Sequence, residues 1–368
     1  LATGNTKNIL IAPLDWGLGH TARCVPIIRY IQSLGHNAIV AGNDTQLSFV
    51  RAELGDMPFA RLEGYNIRYS RWNKWGQIGL LQQVPRIVKT IHAEHKWLQQ
   101  HAASLNLDGI ISDNRYGLCH AGIPSVILTH QLQVLSGFNG AADKIVQRLH
   151  YKYLNRFNET WVVDAQSGRN LGGKLSHPAM LPKQTKYLGL LSRFAEEPTD
   201  VPSGDPDKHL LVLLSGPEPL RTELSDMLWL QVQNFNGKVT FIEGNENAHR
   251  DTVPPHITYH KRLASDALVG LLRDCHLVIC RSGYSTLMDL IPFQKKAILI
   301  PTPGQTEQEY LGKHLHAQGA YYCAPQEGFN LHNAMEAAGR FPFKVPVFNT
   351  VYGRHKDVLA GWLDALPA

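Results

Sequence analysis

Short apolar runs recur along the chain, each rich in β-branched residues and each followed by a longer stretch whose apolar positions repeat with a helical period. In the first half they are "NILIAP" (8–13), "NAIVAG" (37–42), "DGIISD" (108–113), "SVILTH" (125–130) and "TWVVD" (160–164). A second series follows: "HLLVLLSG" (209–216), "KVTFIEG" (238–244), "HLVICRSG" (276–283) and "KAILIPTPG" (296–304). Apolar runs without polar alternation suit strands covered on both faces, and their alternation with helical segments predicts parallel sheets in an α/β fold. Between the two series, "EEPTDVPSGDPDK" (196–208) is rich in Pro, Asp and Gly and has little to bury, so it reads as a linker.

The expected organisation is therefore two doubly wound Rossmann-like domains, 1–195 and 209–345, joined by 196–208 and followed by a C-terminal segment, 346–368. The helical stretch "HKDVLAGWLDAL" (355–366) is a candidate to pack back on the first domain. In such open sheets ligands bind beyond the C-terminal ends of the strands, where the strand order reverses. Two sheets facing one another would leave a cleft between them.

Composition narrows the function classes. Of 368 residues, 43% are hydrophobic and 18% charged, the profile of an ordinary globular protein. No apolar stretch reaches the length of a membrane-spanning helix and the N-terminal residues lack the apolar core of a signal peptide, so a cytoplasmic location is the expectation. The five cysteines lack CxxC spacing, which argues against a zinc site or a disulfide framework. Eighteen histidines are dispersed and suggest no metal site. The net charge of +5 is compatible with an anionic substrate or membrane surface. No dense Lys/Arg run or recognition motif points to nucleic acid.

"LDWGLGHTARCVP" (14–26) follows the first strand. Gly17 and Gly19 suit a tight strand-to-helix turn with free amides at the helix start. Gly17, Gly19 and Ala22 also fit a GxGxxA dinucleotide fingerprint with Asp44 as its ribose carboxylate, but His20 and Arg23 would crowd a pyrophosphate there. His20 is either a surface or cap histidine or a general base at the ligand edge of the sheet. Asp113, at the end of another strand, is either the partner that orients that imidazole or the cap of a following helix. The distance between them decides.

"CRSGYSTLMDLIPFQKKAILIPTPGQTEQEY" (280–310) delivers Ser282 and Gly283 to a helix start, places Asp289 six residues beyond Gly283, and offers Gln305, Glu307, Gln308 and Glu309 to sugar hydroxyls. With "GLGHTARCVP" and "GIPSVILTHQ", this segment resembles the GT-B glycosyltransferases, in particular MurG, the diacylglycerol glycosyltransferases and, more distantly, the plant-type secondary-metabolite enzymes. The resemblance implies that Arg281, Ser282 and Gly283 belong to the donor-diphosphate motif, Asp289 to the ribose, and Gln305, Gln308 and Glu309 to the donor sugar. Asp289 stands where the family usually has Glu, and Glu309 where it has a second Gln. Ser265 and Leu268 in "ASDAL" (264–268) match the uracil-contacting loop, and Gly216 in "LLSGPEP" (213–219) matches the glycine loop after the first strand of the second domain.

By the same resemblance His20 is the acceptor-activating base, Asp113 its partner, and Arg115 a candidate neighbour of the acceptor, although a solvated arginine is commoner. The implied reaction is inverting transfer of a sugar from a UDP-sugar to an acceptor hydroxyl, lipid-linked or glycan, with no cofactor and no obligatory metal. A non-hydrolysing nucleotide-sugar epimerase and a non-catalytic nucleotide-sugar-binding protein are the rivals; an NAD-dependent oxidoreductase ranks behind both.

"RYSRWNKWGQIGLLQQVPRIVKTIHAEHKWLQQH" (68–101) mixes Trp72, Trp75 and Trp97 with basic residues around an apolar helical pattern. It admits a peripheral membrane contact, with Ile78, Leu80 and Leu81 toward lipid and Lys74, Arg86 and Lys89 toward headgroups. An ordinary amphipathic helix with its stripe on the core is the commoner case.

Overall fold

The computed structural model describes residues 6–65, 84–135, 141–196, 209–347 and 352–367. The chain forms two compact units, one holding the described residues up to 193 together with 352–367, the other those from 194 to 347. Positions 197–208 of the sequence-predicted linker lie outside the described residues.

In the first unit, strands β1 (Asn8–Pro13), β2 (Asn37–Gly42), β3 (Phe59–Arg61), β4 (Gly109–Asp113), β5 (Ser125–Thr129), β6 (Glu159–Val162) and β7 (Thr185–Tyr187) form one parallel sheet in the order β3-β2-β1-β4-β5-β6-β7. Helices α1 (Leu18–Ser33), α2 (Asp44–Leu54), α3 (Val84–His101), α4 (Ala141–Leu154) and a C-terminal helix, Arg354–Asp364, cover it. Strands β1, β2, β4 and β5 are buried almost throughout, which explains their continuous apolar runs. The C-terminal helix presents His355, Leu359, Trp362 and Leu363, spaced to form one stripe, to the core of this unit. Trp362 reaches the sheet because Gly109 has no side chain: a Cβ there would lie 2.5 Å from the indole. The same indole meets Trp161 edge to face at 5.5 Å, an arrangement favoured by the ring quadrupoles.

Helix α3 resolves part of the question raised by 68–101. Ile91 and Leu98 are buried, with Ile87 and Trp97 packed beside them, so the stripe over this helix is core, while Arg86 and Lys89 are exposed. Trp72, Lys74, Trp75, Ile78, Leu80 and Leu81 lie outside the described residues. Among the described residues, no helix is long and apolar enough to cross a membrane.

The second unit contains β8 (His209–Leu213), β9 (Lys238–Ile242), β10 (Ile257–His260), β11 (Leu277–Cys280), β12 (Lys296–Leu299) and β13 (Tyr322–Cys323), parallel in the order β10-β9-β8-β11-β12-β13. In chain order its helices are α5 (Leu220–Val232), α6 (Ser265–Asp274), α7 (Tyr284–Leu290), α8 (Thr306–Ala317) and α9 (Leu331–Gly339), which makes the C-terminal helix of the first unit α10. Leu210, Val212, Phe241, Ile279, Ile298 and Trp229 anchor the core under this sheet.

The sequence runs locate nine of the thirteen strands among the described residues but overrun several of them: 160–164, 209–216, 238–244, 276–283 and 296–304 stop at Val162, Leu213, Ile242, Cys280 and Leu299. The overrun residues form the loops beyond the strand ends. The unpredicted strands, β3, β7, β10 and β13, are two to four residues long. All four sit at sheet edges, where one side lacks a neighbouring strand and the apolar signal is weak.

Candidate active site

In the first sheet the strand order reverses between β1 and β4, which are adjacent and in register from Ile9↔Gly109 to Pro13↔Asp113. Asp113 therefore ends β4 beside the last residue of β1, at the point where an open α/β sheet receives its ligand. After β1 the chain turns into α1 through Gly17, which adopts φ 110° as the residue before the helix. Residues with a Cβ rarely take that conformation. His20 follows in the first turn, and Arg23 and Cys24, three and four positions on, share its face of the helix.

That face meets Asp113. His20 Nδ1 lies 3.1 Å from Asp113 Oδ2, and Arg23 Nε donates to the same oxygen at 2.8 Å. Arg23 Nη2 donates to Asp113 Oδ1, and Cys24 Sγ is a weak donor to Oδ2 at 3.8 Å. The remaining guanidinium edge donates through Nη1 to His130 Nδ1 at 2.8 Å. Asp113 and Arg23 are buried, whereas the His20 side chain keeps 16% of its surface exposed.

Burial alone would raise the Asp113 carboxyl, but Arg23 and His20 outweigh it and hold the group well below the usual carboxylate range. Asp113 is thus an acceptor, and the network assigns the His20 hydrogen to Nδ1, leaving the Nε2 lone pair available. Burial, helped by Arg23 and His130, lowers the His20 imidazole below its ordinary value despite the opposing pull of Asp113. A neutral, oriented imidazole can take a proton from a hydroxyl group. Asp113 caps no helix, because 114–124 run as a loop into β5.

Arg115 is not a solvated arginine: its side chain is buried, with Nε on Glu94 Oε1 at 2.8 Å and its Nη atoms on the carbonyls of Pro13 and Glu63. Glu94 also accepts from Tyr65 Oη at 3.0 Å and from the Gly117 amide at 2.9 Å. This buried cluster ties α3 to the loop carrying Asn114 to Gly117. The dinucleotide fingerprint also dissolves, since Gly19 and Ala22 lie inside α1 and Asp44 pairs with Arg61 on the surface.

In the second unit the order reverses between β8 and β11. Gly216, at φ 111°, shapes the loop after β8, and Arg281, Ser282 and Gly283 follow β11. Here two donor-site expectations are revised. Arg281 is buried and donates through Nη1 to Ile300 O, Pro301 O and Gln326 Oε1 and through Nη2 to Leu220 O, so it joins the loops rather than facing a ligand. The Ser282 hydroxyl, also buried, donates to the Gln308 carbonyl at 2.7 Å. Gly283 caps α7 with an ordinary extended φ of −74°.

Gln308 Oε1 accepts from the Thr302 amide at 3.0 Å and Glu309 Oε1 from the Gly304 amide at 2.9 Å, so both side chains fold back on the turn before α8. Gln305 is the residue before α8, and Asp289 is half-buried near the end of α7. Ser265 opens α6, and Leu268 is a buried side chain with little surface left for a base.

Sequence reasoning assigned no role to Arg23, His130 or Glu94. The i, i+3 spacing of "HTAR" and the position of His130 just after β5, beside β4, were the available signals; Glu94 left none.

Residues 229–338 match the model of the glycosyltransferase family 28 C-terminal domain. No curated protein matches the chain by sequence. Among solved structures, the glycosyltransferase SnogD from Streptomyces nogalater is similar with a TM-score of 0.62 at 13% identity, over 98% of this chain and 99% of that one. MurG of Acinetobacter baumannii gives 0.54 at 13% identity, over 98% and 96%. The glycosyltransferase SsfS6 of Streptomyces sp. SF2575, complexed with thymidine diphosphate, gives 0.58 at 14% identity, over 98% and 96%. At such identities these likenesses establish the fold. The chain thus has the two-unit fold of the GT-B glycosyltransferases, and residues 229–338 of its second unit match the family 28 C-terminal domain.

Proposed function

We propose that the protein transfers a sugar from a nucleoside-diphosphate donor to an acceptor hydroxyl with inversion at the anomeric carbon. The observation that carries this reading is the His20–Asp113 contact of 3.1 Å at the strand-order reversal of the first sheet. In the reaction, His20 Nε2 takes the acceptor O–H proton and the oxygen attacks the anomeric carbon. The bond from that carbon to the diphosphate oxygen breaks, and the nucleoside diphosphate leaves with the electron pair. Asp113 stabilises the imidazolium that forms. A single displacement of this kind inverts the carbon.

The donor is assigned to the second unit, at the loops after β8, β11 and β12, where the family 28 match and Gly216, Gly283, Asp289 and Gln305 support it. With the Ser282 hydroxyl turned inward, backbone amides there are the donors assigned to the diphosphate. Uridine is the base we favour from the resemblance, and the thymidine diphosphate held by one structural neighbour makes thymidine the first alternative. We place the acceptor among lipid-linked or glycan hydroxyls at the inner face of the membrane, and the transfer needs no obligatory metal.

A panel of UDP- and TDP-sugars tested by thermal shift identifies the donor, since a ligand that binds the native state raises the melting temperature. His20→Ala is expected to abolish transfer while retaining the donor-induced shift, and Asp289→Ala to diminish that shift. Transfer by His20→Ala at the wild-type rate would rule out the base assignment, and retention of configuration in the product would rule out single displacement.

A further inference from the structure

The carboxylate that orients His20 is shared with an arginine. Two donors of Arg23 occupy both oxygens of Asp113, and a third reaches His130, so the guanidinium is held from both sides. Because Arg23 Nη1 donates to it, His130 Nδ1 acts as an acceptor and carries no hydrogen in this arrangement. We infer that Arg23 is a positioning residue that keeps His20 a neutral proton acceptor by neutralising the carboxylate the imidazole leans on. The inference rests on the reading of His20 as the base.

The charge balance gives the reason. A histidine–aspartate pair alone carries one negative charge when the imidazole is neutral, and protonation cancels it, so the pair attracts a proton. With Arg23 bonded to both carboxylate oxygens the cluster is already neutral, and protonating His20 leaves it with a net positive charge in a buried place. The charged and titratable groups around His20 all bear on this: Asp113 from β4, Arg23 from its own helix and His130 from just beyond β5, with the Cys24 thiol on Asp113. Of these only Asp113 favours the imidazolium, and Arg23 offsets it. Asp113 thereby retains its orienting hydrogen bond to Nδ1 without making His20 a cation at neutral pH. Two-point geometry matters because a guanidinium can hold both carboxylate oxygens while leaving Oδ2 open to the imidazole, a task for which a single ammonium is poorly shaped.

The test is an NMR titration of the whole chain with ring-labelled histidine, the His20 signal being the one lost in His20→Ala. In the wild type the His20 midpoint is expected below the ordinary histidine value of about 6.5. In Arg23→Gln, which removes the charge, it is expected to rise by on the order of one unit or more, and in Arg23→Lys, which keeps the charge, by less than roughly half a unit. The acidic limb of the kcat/KM profile, which reports the free enzyme, should move with the midpoint.

A wild-type midpoint at or above the ordinary value would overturn the inference even if Arg23→Gln failed to fold. An unmoved or lowered midpoint in a folded Arg23→Gln would overturn it as well. A midpoint that rises while the rate profile stays in place would support the role of Arg23 and remove His20 from the chemistry, so the two failures are distinguishable.

Discussion

Replacing Glu94 by alanine removes the only carboxylate that, among the described residues, is bonded to the fully buried Arg115. Arg115 has none of its side chain exposed and Glu94 one hundredth. Breaking a buried pair by deleting one partner costs about 3–5 kcal/mol, because the remaining charge stays desolvated. Tyr65 Oη and the Gly117 amide lose their acceptor in the same step, so the upper part of that range is expected. Glu94→Gln keeps an oxygen for those two donors and should lose only about 2 kcal/mol, the scale of a charge-assisted hydrogen bond.

A chain of two units need not unfold as a single transition, so the assay is hydrogen exchange read on peptides covering β1 and β4, the strands that carry the Arg23–Asp113–His20 cluster. At about 1.4 kcal/mol per decade, the alanine variant should lose roughly 100- to 4,000-fold in protection there, and the glutamine variant roughly 30-fold. Transfer activity should fall in the same order, since the loop after β4 follows Asp113 directly. If the alanine variant exchanged within about threefold of wild type in β4, less than about 1 kcal/mol would be at stake and the buried-pair account would fail.

Asp113→Asn should slow transfer by at least about a hundredfold, as removing the orienting carboxylate does in other His–Asp pairs. It should also flatten the acid dependence of stability. The folded carboxyl lies below its unfolded value, so it contributes stability that is present above an unfolded pKa of about 3.9 and is lost as the pH falls through that value toward the folded one. Denaturation midpoints between pH 5 and the acid limit, compared for the two proteins, check the sign; parallel curves would refute it. Gly312→Ala in α8 would place a Cβ 2.7 Å from Cys323 Sγ and 2.8 Å from Pro301 Cγ. Overpacking of about 1–3 kcal/mol should exceed the helix-propensity gain of about 1 kcal/mol, and a raised melting temperature would contradict that.

The chain alone disclosed the alternation of buried strands and helices, the two sheet-forming series, and the glycine turn that leads into His20. These features are local: an apolar run or a residue needing positive φ leaves the same signature wherever the segment ends up in space. His20 and Asp113 were both visible as candidates because each ends or follows a strand, yet 93 residues separate them and only the pairing of β1 with β4 brings them to 3.1 Å.

Tertiary structure decided what the arginines do. Nothing local to Arg23, Arg115 or Arg281 announces that it is buried, since the acceptors that turn them inward lie as many as 107, 102 and 61 residues away. No pattern along the chain encodes whether a guanidinium ends in water, on a carboxylate or on backbone carbonyls. The edge strands escaped for a related reason, because their pairing depends on the neighbour that the rest of the sheet supplies. Periodicity reports how a segment is covered, whereas charge placement depends on partners that only folding brings within reach.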